Sequence, residues 1–380
     1  MKKDSGFLVT VLTLLLVSGA QAKDVSEGRG FEHDVPAIFS FGDSTTDPGN
    51  NQFIANPGAA FLANITPYGQ SFFDRPTGRF SDGRVWVDLL AQGLGLPVTA
   101  AYQNPATRDY TKGVNFASGG SGNFETTKTN LEAIFGGRTV TNILEQLEQF
   151  RLVKSKLIGC LGQKQAEVLL DRSLYVISSG ANDIAWGYLL NTTMQQVYSP
   201  DVYTTRIINA TYDTVLALYA EGARKFIING QNPIGCTPAN VGRNDGTCFE
   251  PANALCRLVN SKLPALQQRL SRSCPGSFVV YTDNYKFLEG IVKSGSAYGF
   301  TKGSVACCGT GPYNGDVGGC GALDANGAPV YNLCSKESLG EYLYWDYAHF
   351  TEKVNKLQTG FYIYGRQFVK PFNVSTLARS

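Results

Sequence analysis

Two histidines occur in the chain, His33 and His349. Imidazole is the side chain best suited to exchanging protons near neutral pH, so the choice of a general base is narrow. His33 lies in a charged, glycine-containing stretch, residues 23–34, which reads as a loose start. His349 lies in "YLYWDYAHFTEK" (342–353), with Asp346 three residues before it. A carboxylate at that spacing can fix the tautomer of the ring and stabilise the imidazolium. Such a pair serves a hydroxyl, which is a weak nucleophile alone. A serine placed to use it stands in "AIFSFGDSTTDPGN" (37–50), where Ser44 follows an apolar run ending at Gly42. Together Ser44, His349 and Asp346 could attack a carbonyl carbon and pass an acyl group. Each also has a plainer reading, because Gly, Asp and Ser commonly end strands and an Asp commonly opens a helix.

Acyl chemistry also needs fixed donors for the negative charge that grows on the carbonyl oxygen. "NFASGGSGN" (115–123) can turn backbone N–H groups toward a site, and Asn182 offers an amide. Competing chemistries lack their residues: the chain contains no G-x-S-x-G, no H-E-x-x-H and no phosphate-cradling P-loop. Two histidines argue against a His-rich metal centre.

These residues must be held by the elements around them. Apolar strand-like runs occur at 37–43, 113–118, 174–183, 225–235 and 278–284. Helical patterns lie between or after them at 85–95, 141–157, 213–225, 252–270 and 352–368. Runs that are apolar throughout fit strands covered on both faces. The alternation predicts an α/β sandwich with a mainly parallel sheet. Sites in such sheets form outside the carboxyl ends of the strands, where Ser44, the glycines after Ser118, and Asn182 all fall. No repeat or linker interrupts the pattern, so residues 23–380 are expected to form one domain.

The first residues read as a secretory leader. Lys2 and Lys3 precede the apolar run "FLVTVLTLLLV", and Ala20 and Ala22 supply small residues for cleavage after about Ala22. No later segment is apolar for long enough to span a bilayer. The nine cysteines all follow the leader. An oxidising compartment favours disulfides, and an odd number leaves at least one thiol unpaired, with the pairing open. Sequons at Asn64, Asn191, Asn209 and Asn373 are candidate glycosylation sites. A formal charge of +2 with no basic stripe makes nucleic acid an unexpected partner. An ester, small or polymeric, is the expected one, and the oligomeric state is left open.

Four blocks in order, "FGDSTTDPGN", "GVNFASGGSG", "SSGANDI" and "WDYAHFT", resemble the plant GDSL esterase/lipases of the SGNH hydrolase superfamily. "PYGQSFFDRPTGRFSDGRVWVD" (67–88), "NGQNPIGCTP" (229–238) and "ACCGTGPYNG" (306–315) extend the resemblance over about residues 36–370. It implies a three-layer αβα sandwich, a Ser44–His349–Asp346 triad, and an oxyanion hole made by the Ser44 N–H, Gly120 and Asn182, with Gly119 as the alternative glycine. The implied function is a secreted serine esterase, with no metal or organic cofactor implied. An acyltransferase would use the same triad with an alcohol in place of water. A non-catalytic lipid- or wall-binding glycoprotein is the third reading. Two residues depart from the family pattern: Thr45 stands where leucine is usual, and Phe350 where the block usually reads D-x-x-H-P-T. Thr45 is expected to support the turn; Phe350 is expected to free a backbone donor beside the base and to reshape the acyl or alcohol pocket.

Overall fold

The structure is a computed structural model, and it describes residues 35–55, 62–136 and 140–380. The expected leader and His33 lie outside the described residues. The central sheet has the order β10-β5-β4-β3-β1-β2. Its parallel strands are β1 (Ile38–Gly42), β2 (Gly113–Asn115), β3 (Leu174–Ser178), β4 (Lys225–Ile228) and β5 (Phe278–Thr282). Two short pairs stand apart, β6 (Lys302–Ala306) with β9 (Tyr342–Tyr344) and β7 (Cys308–Gly309) with β8 (Asn332–Leu333). The edge strand β10 (Val369–Lys370) runs antiparallel to β5.

The strands are apolar in both phases because both faces are covered. Phe39, Phe41, Tyr175, Ile177, Phe226, Ile228 and Val279 enter one buried cluster. The alternate residues Ile38, Leu174, Val176, Ile227 and Val280 enter another. On the first face pack α3 (Ile143–Leu161), α4 (Gln163–Arg172), α6 (Pro200–Ala220) and α8 (Glu250–Ser273). On the second pack α1 (Trp86–Gly93), α10 (Glu352–Tyr364) and α11 (Val374–Arg379). This is the expected three-layer sandwich. The remaining helices are α2 (Glu125–Phe135), α5 (Thr192–Val197), α7 (Pro238–Arg243) and α9 (Asn284–Lys293).

Helix starts follow local chemistry. Asn142 and Glu145 form a reciprocal capping box at α3. The helix expected from 213 begins at Pro200 instead, because Ser199 caps it and proline fits the first turn. The strand expected over 174–183 stops at Ser178, and Asp183–Leu189 winds as a π-helix.

From β1 the chain goes to β2 on one side and then returns to β3 on the other. The strand order therefore reverses between the carboxyl ends of β1 and β3, and that crevice is where a ligand fits.

Candidate active site

Ser44 stands at the end of β1, half-buried. Gly42 must be glycine, since a Cβ there would lie 2.2 Å from Ser178 O on β3. The Asp43 N–H donates to that same carbonyl oxygen, and Thr46 N–H and Asp47 N–H donate to Asp43 O, folding the chain back at once. Thr45 supports this turn as expected, donating its N–H (3.0 Å) and hydroxyl (2.8 Å) to Asp43 Oδ1.

His349 arrives from the other end of the chain on a tight hairpin. Trp345 N–H donates to His349 O (2.7 Å) and Thr351 N–H donates to Leu343 O (3.0 Å). Inside the hairpin Asp346 Oδ1 accepts the Ala348 and His349 N–H groups, each at 2.9 Å. His349 Nδ1 lies 2.7 and 2.8 Å from the two Asp346 oxygens, and its Nε2 lies 2.7 Å from Ser44 Oγ. With Nδ1 protonated toward Asp346, Nε2 is left as an acceptor for the serine proton. Asp346 is fully buried. Burial pushes its carboxyl up, but the His349 charge and hydrogen bond, the Ala348 N–H and the Tyr68 hydroxyl together hold it below the usual carboxylate range. Phe80 packs on the imidazole at 4.7 Å between ring centroids, and Tyr347 stands edge-on to it at 5.4 Å.

Phe350 leaves the hairpin intact because its own N–H is in neither of those two bonds. Its ring stacks on Tyr344 at 5.2 Å and lines the cavity in front of Ser44. The replaced proline therefore matters through the cavity wall.

In the glycine loop after β2 the N–H groups of Gly119 and Gly120 differ in their partners. Asp47 accepts from Gly49 N–H (2.7 Å) and Asn50 N–H (2.6 Å) at Oδ1, and from Gly119 N–H (2.9 Å) at Oδ2. The Gly119 donor is thus spent. Among the described residues, the Gly120 and Ser44 N–H groups have no internal acceptor. Gly120 adopts φ 85°, a left-handed conformation that glycine tolerates. Gln146 ties this loop to β1, accepting from Gly42 N–H and donating to Gly42 O and Ser121 Oγ. Asn182 lines the cavity beside Ser44, and its Nδ2 donates to Ser121 O at 2.8 Å. Gly120 is not among the cavity-lining residues.

The cavity holds about 220 Å³ and its walls are mainly apolar: Ala185, Trp186 and Leu189 from the π-helix, with Ile234, Phe249, Tyr344 and Phe350. A π-helix at a site edge is a recurrent functional marker. Val317 reaches the cavity from the loop at 313–321. The segment 109–115 does not reach it: Tyr110 lies in a separate cleft with Tyr102 and Lys156. Tyr110 precedes β2, so it sits at the amino ends of the strands, away from the crevice.

Sequence reasoning missed the residues that lock the two halves of the site together. They fall in the 67–88 block, quoted above for its resemblance alone. Tyr68 donates its hydroxyl to Asp346 Oδ2 at 2.8 Å. Arg79 bridges Asp88 and the Pro48 carbonyl behind the serine turn. Arg84 binds Glu352 through its N–H and guanidinium, and Asp82 accepts the Glu352 N–H just after the base. The signal for these was a buried-type mixture of Arg and Asp among aromatics, which periodicity does not detect.

Six cysteines pair as Cys236–Cys248, Cys307–Cys334 and Cys308–Cys320, and Cys160, Cys256 and Cys274 are free. Cys307 N–H and Cys308 N–H donate to Tyr344 O and Trp345 O, so two of the bridges brace the back of the hairpin that carries Asp346 and His349. Among the sequons, Asn64 and Asn209 are exposed and Asn191 is half-buried. The expectation at Asn373 is corrected. That residue is 9% exposed, its Oδ1 accepts the Thr376 N–H, and its Nδ2, the atom a glycan would take, donates to Tyr364 O. Among the described residues no helix is long and apolar enough to cross a membrane.

Residues 38–359 match the family model described as GDSL-like lipase/acylhydrolase. Similar proteins include three from Arabidopsis thaliana. GDSL esterase/lipase 2 is 32% identical over 371 residues, covering 96% of this chain and 95% of its own. GDSL esterase/lipase 4 is 32% identical over 381 residues, covering 98% and 96%. GDSL esterase/lipase 6 is 33% identical over 355 residues, covering 90% and 91%.

Proposed function

The chain belongs to the GDSL-like lipase/acylhydrolase family and is an ester-hydrolysing enzyme, and we propose that it works as a secreted serine esterase through Ser44, His349 and Asp346. The observation that carries this reading is the continuous hydrogen-bonded line from Ser44 Oγ through the imidazole to the buried Asp346 carboxylate. The 2.7 Å contact at Nε2 lies within the reach that proton transfer requires.

His349 Nε2 takes the hydroxyl proton as Ser44 Oγ bonds to the ester carbonyl carbon. The oxyanion is held by the Ser44 and Gly120 N–H groups and the Asn182 amide. The imidazolium, steadied by Asp346, then gives its proton to the departing alcohol as the ester C–O bond breaks. The acyl group is left on Ser44. Water repeats the cycle: His349 takes its proton, its oxygen bonds to the acyl carbon, and the Ser44–acyl bond breaks with return of the proton to Oγ. The acid is released.

The apolar cavity walls favour a second reading, in which an alcohol excludes water and accepts the acyl group. A binding protein without catalysis would have no use for the aligned proton path. Export from the cell is supported by the three disulfides, and Asn64, Asn191 and Asn209 are the proposed glycan positions. The test is fluorophosphonate labelling of the folded protein, with the modified peptide mapped by mass spectrometry. One adduct, on Ser44, is expected. Folded protein that takes no adduct would move the binding-protein reading to the front.

A further inference from the structure

The cleft holds one arginine, and the proposed reaction does not use it. Arg243, the last residue of α7, lines the same cavity as Ser44 and His349. Several polar residues of the lining make internal bonds, while Asn232 Oδ1 has no partner among the described residues. Asn240 Nδ2 donates to Ile234 O and Thr237 Oγ1, Asn182 Nδ2 donates to Ser121 O, and the Thr45 hydroxyl donates to Asp43. Arg243 is exposed and, among the described residues, forms no ion pair or side-chain hydrogen bond. Arg79, Arg84, Arg151 and Arg257 all have carboxylate partners.

The mount of Arg243 is fixed relative to the reacting atoms. Ala239 N–H on α7 donates to Tyr347 O at 3.0 Å, two residues before the base. The Cys236–Cys248 bridge closes the chain around α7. A Cβ at Gly242 would lie 2.8 Å from Pro312 O, so the helix is seated directly on the neighbouring turn. The Arg243 charge reaches the Tyr347 phenol, whose ring is edge-on to His349.

A guanidinium presents a planar fork of donors that matches a carboxylate. Arg243 is the one arginine or lysine in a lining that is otherwise mainly apolar, and this favours an apolar ligand with a single negative charge over a phosphate. We propose that Arg243 recognises an ionised carboxylate on the substrate, so that the enzyme prefers esters carrying a second, free acid group on the acyl or the alcohol part. This inference rests on the esterase reading above.

The test uses two matched pairs of esters. p-Nitrophenyl hexanoate and the p-nitrophenyl monoester of adipic acid differ by a charge on the acyl part. Methyl 4-acetoxybenzoate and 4-acetoxybenzoate differ by a charge on the alcohol part. The quantity read is the ratio of kcat/KM, anionic over neutral, within each pair. In one pair this ratio is expected to fall by about threefold to tenfold in Arg243→Met, and to be partly kept in Arg243→Lys. In the wild type it is expected to fall as salt is raised. The pair that responds identifies the half of the substrate that carries the charge. Ratios unmoved by Arg243→Met in both pairs, with neutral esters turned over, would overturn this inference and leave the esterase reading standing. A folded wild type that turns over none of the four esters and takes no fluorophosphonate overturns the esterase reading, and this inference falls with it.

Discussion

Tyr68 donates its hydroxyl to Asp346 Oδ2 at 2.8 Å, on the carboxylate whose other bonds hold His349. Two segments 278 residues apart meet at that contact. Its effect is to fix the rotation of the acid that fixes the base. A hydrogen bond to a charged group contributes about 1.5–3 kcal/mol. Tyr68→Phe keeps the ring packed against Trp345 and Phe80 and removes the bond. The expected result is a kcat lower by about tenfold or more with little change in KM. The Tyr68 bond lowers the Asp346 carboxyl, so its loss should move the acid limb of the pH–rate profile upward. A variant with normal kcat and an unmoved profile would reduce Tyr68 to a packing role.

Ser44→Ala is expected to abolish both ester turnover and fluorophosphonate labelling. Its thermal midpoint should stay close to wild type, because the turn is held by Asp43 and Thr45. His349→Ala should lower kcat far more than it changes KM. A pure KM effect would make His349 a binding residue.

Asn182→Ala should lower kcat by about 10²–10³, the usual cost of losing one oxyanion donor. Steady-state kinetics with one soluble ester separates the possibilities. A loss confined to KM would place the amide on the ground-state substrate instead. The Asn182 Nδ2 bond to Ser121 O means that a small fall in thermal midpoint accompanies the kinetic loss.

Stability should rise as the solution is made mildly acidic. Burial pushes the Asp43 and Asp47 carboxyls up, each to about 6. The folded state then holds those protons more tightly than the unfolded chain does. Stability from these groups is therefore present at low pH and is lost as pH rises toward about 6, by about 3 kcal/mol each. Asp346 and Glu352 act the other way, since their carboxyls are lowered on folding and their stability is lost only as pH falls below their unfolded values, about 4. The thermal midpoint should climb from about pH 7 to about pH 5 and drop again below about pH 4. Asp43→Asn keeps an Oδ1 acceptor for Thr45 and should flatten part of the climb. A midpoint that rises from pH 5 to 7 would show that these two carboxyls are not the controlling groups.

The two departures from the family pattern resolve differently. Thr45 acts within three residues of itself, so its role in the turn was legible from local chemistry. Phe350 was expected to free a backbone donor beside the base and to reshape the acyl or alcohol pocket. The strand-like pairing of Tyr344 with Phe350 holds the hairpin without that donor, and the side chain lines the cavity.

The sequence by itself determined the alternation of strands and helices, the parallel sheet, the serine at a strand tip and the one plausible base. Those properties are local: runs apolar in both phases, caps such as Asn142 with Glu145, and a count of histidines. Only the tertiary structure decided what meets across distance. It joined Ser44 to His349 over 305 positions, spent the Gly119 donor on Asp47 and left Gly120 free, chose three pairs among nine cysteines, buried Asn373, and set Tyr68 behind the acid and Arg243 at the cavity. None of these has a period or a spacing in the chain. The burial of Asn373 follows from the seating of α11 beside the end of α10; the others depend on which loops the reversal of strand order brings to one crevice, and on which donors remain unspent once the backbone there is folded.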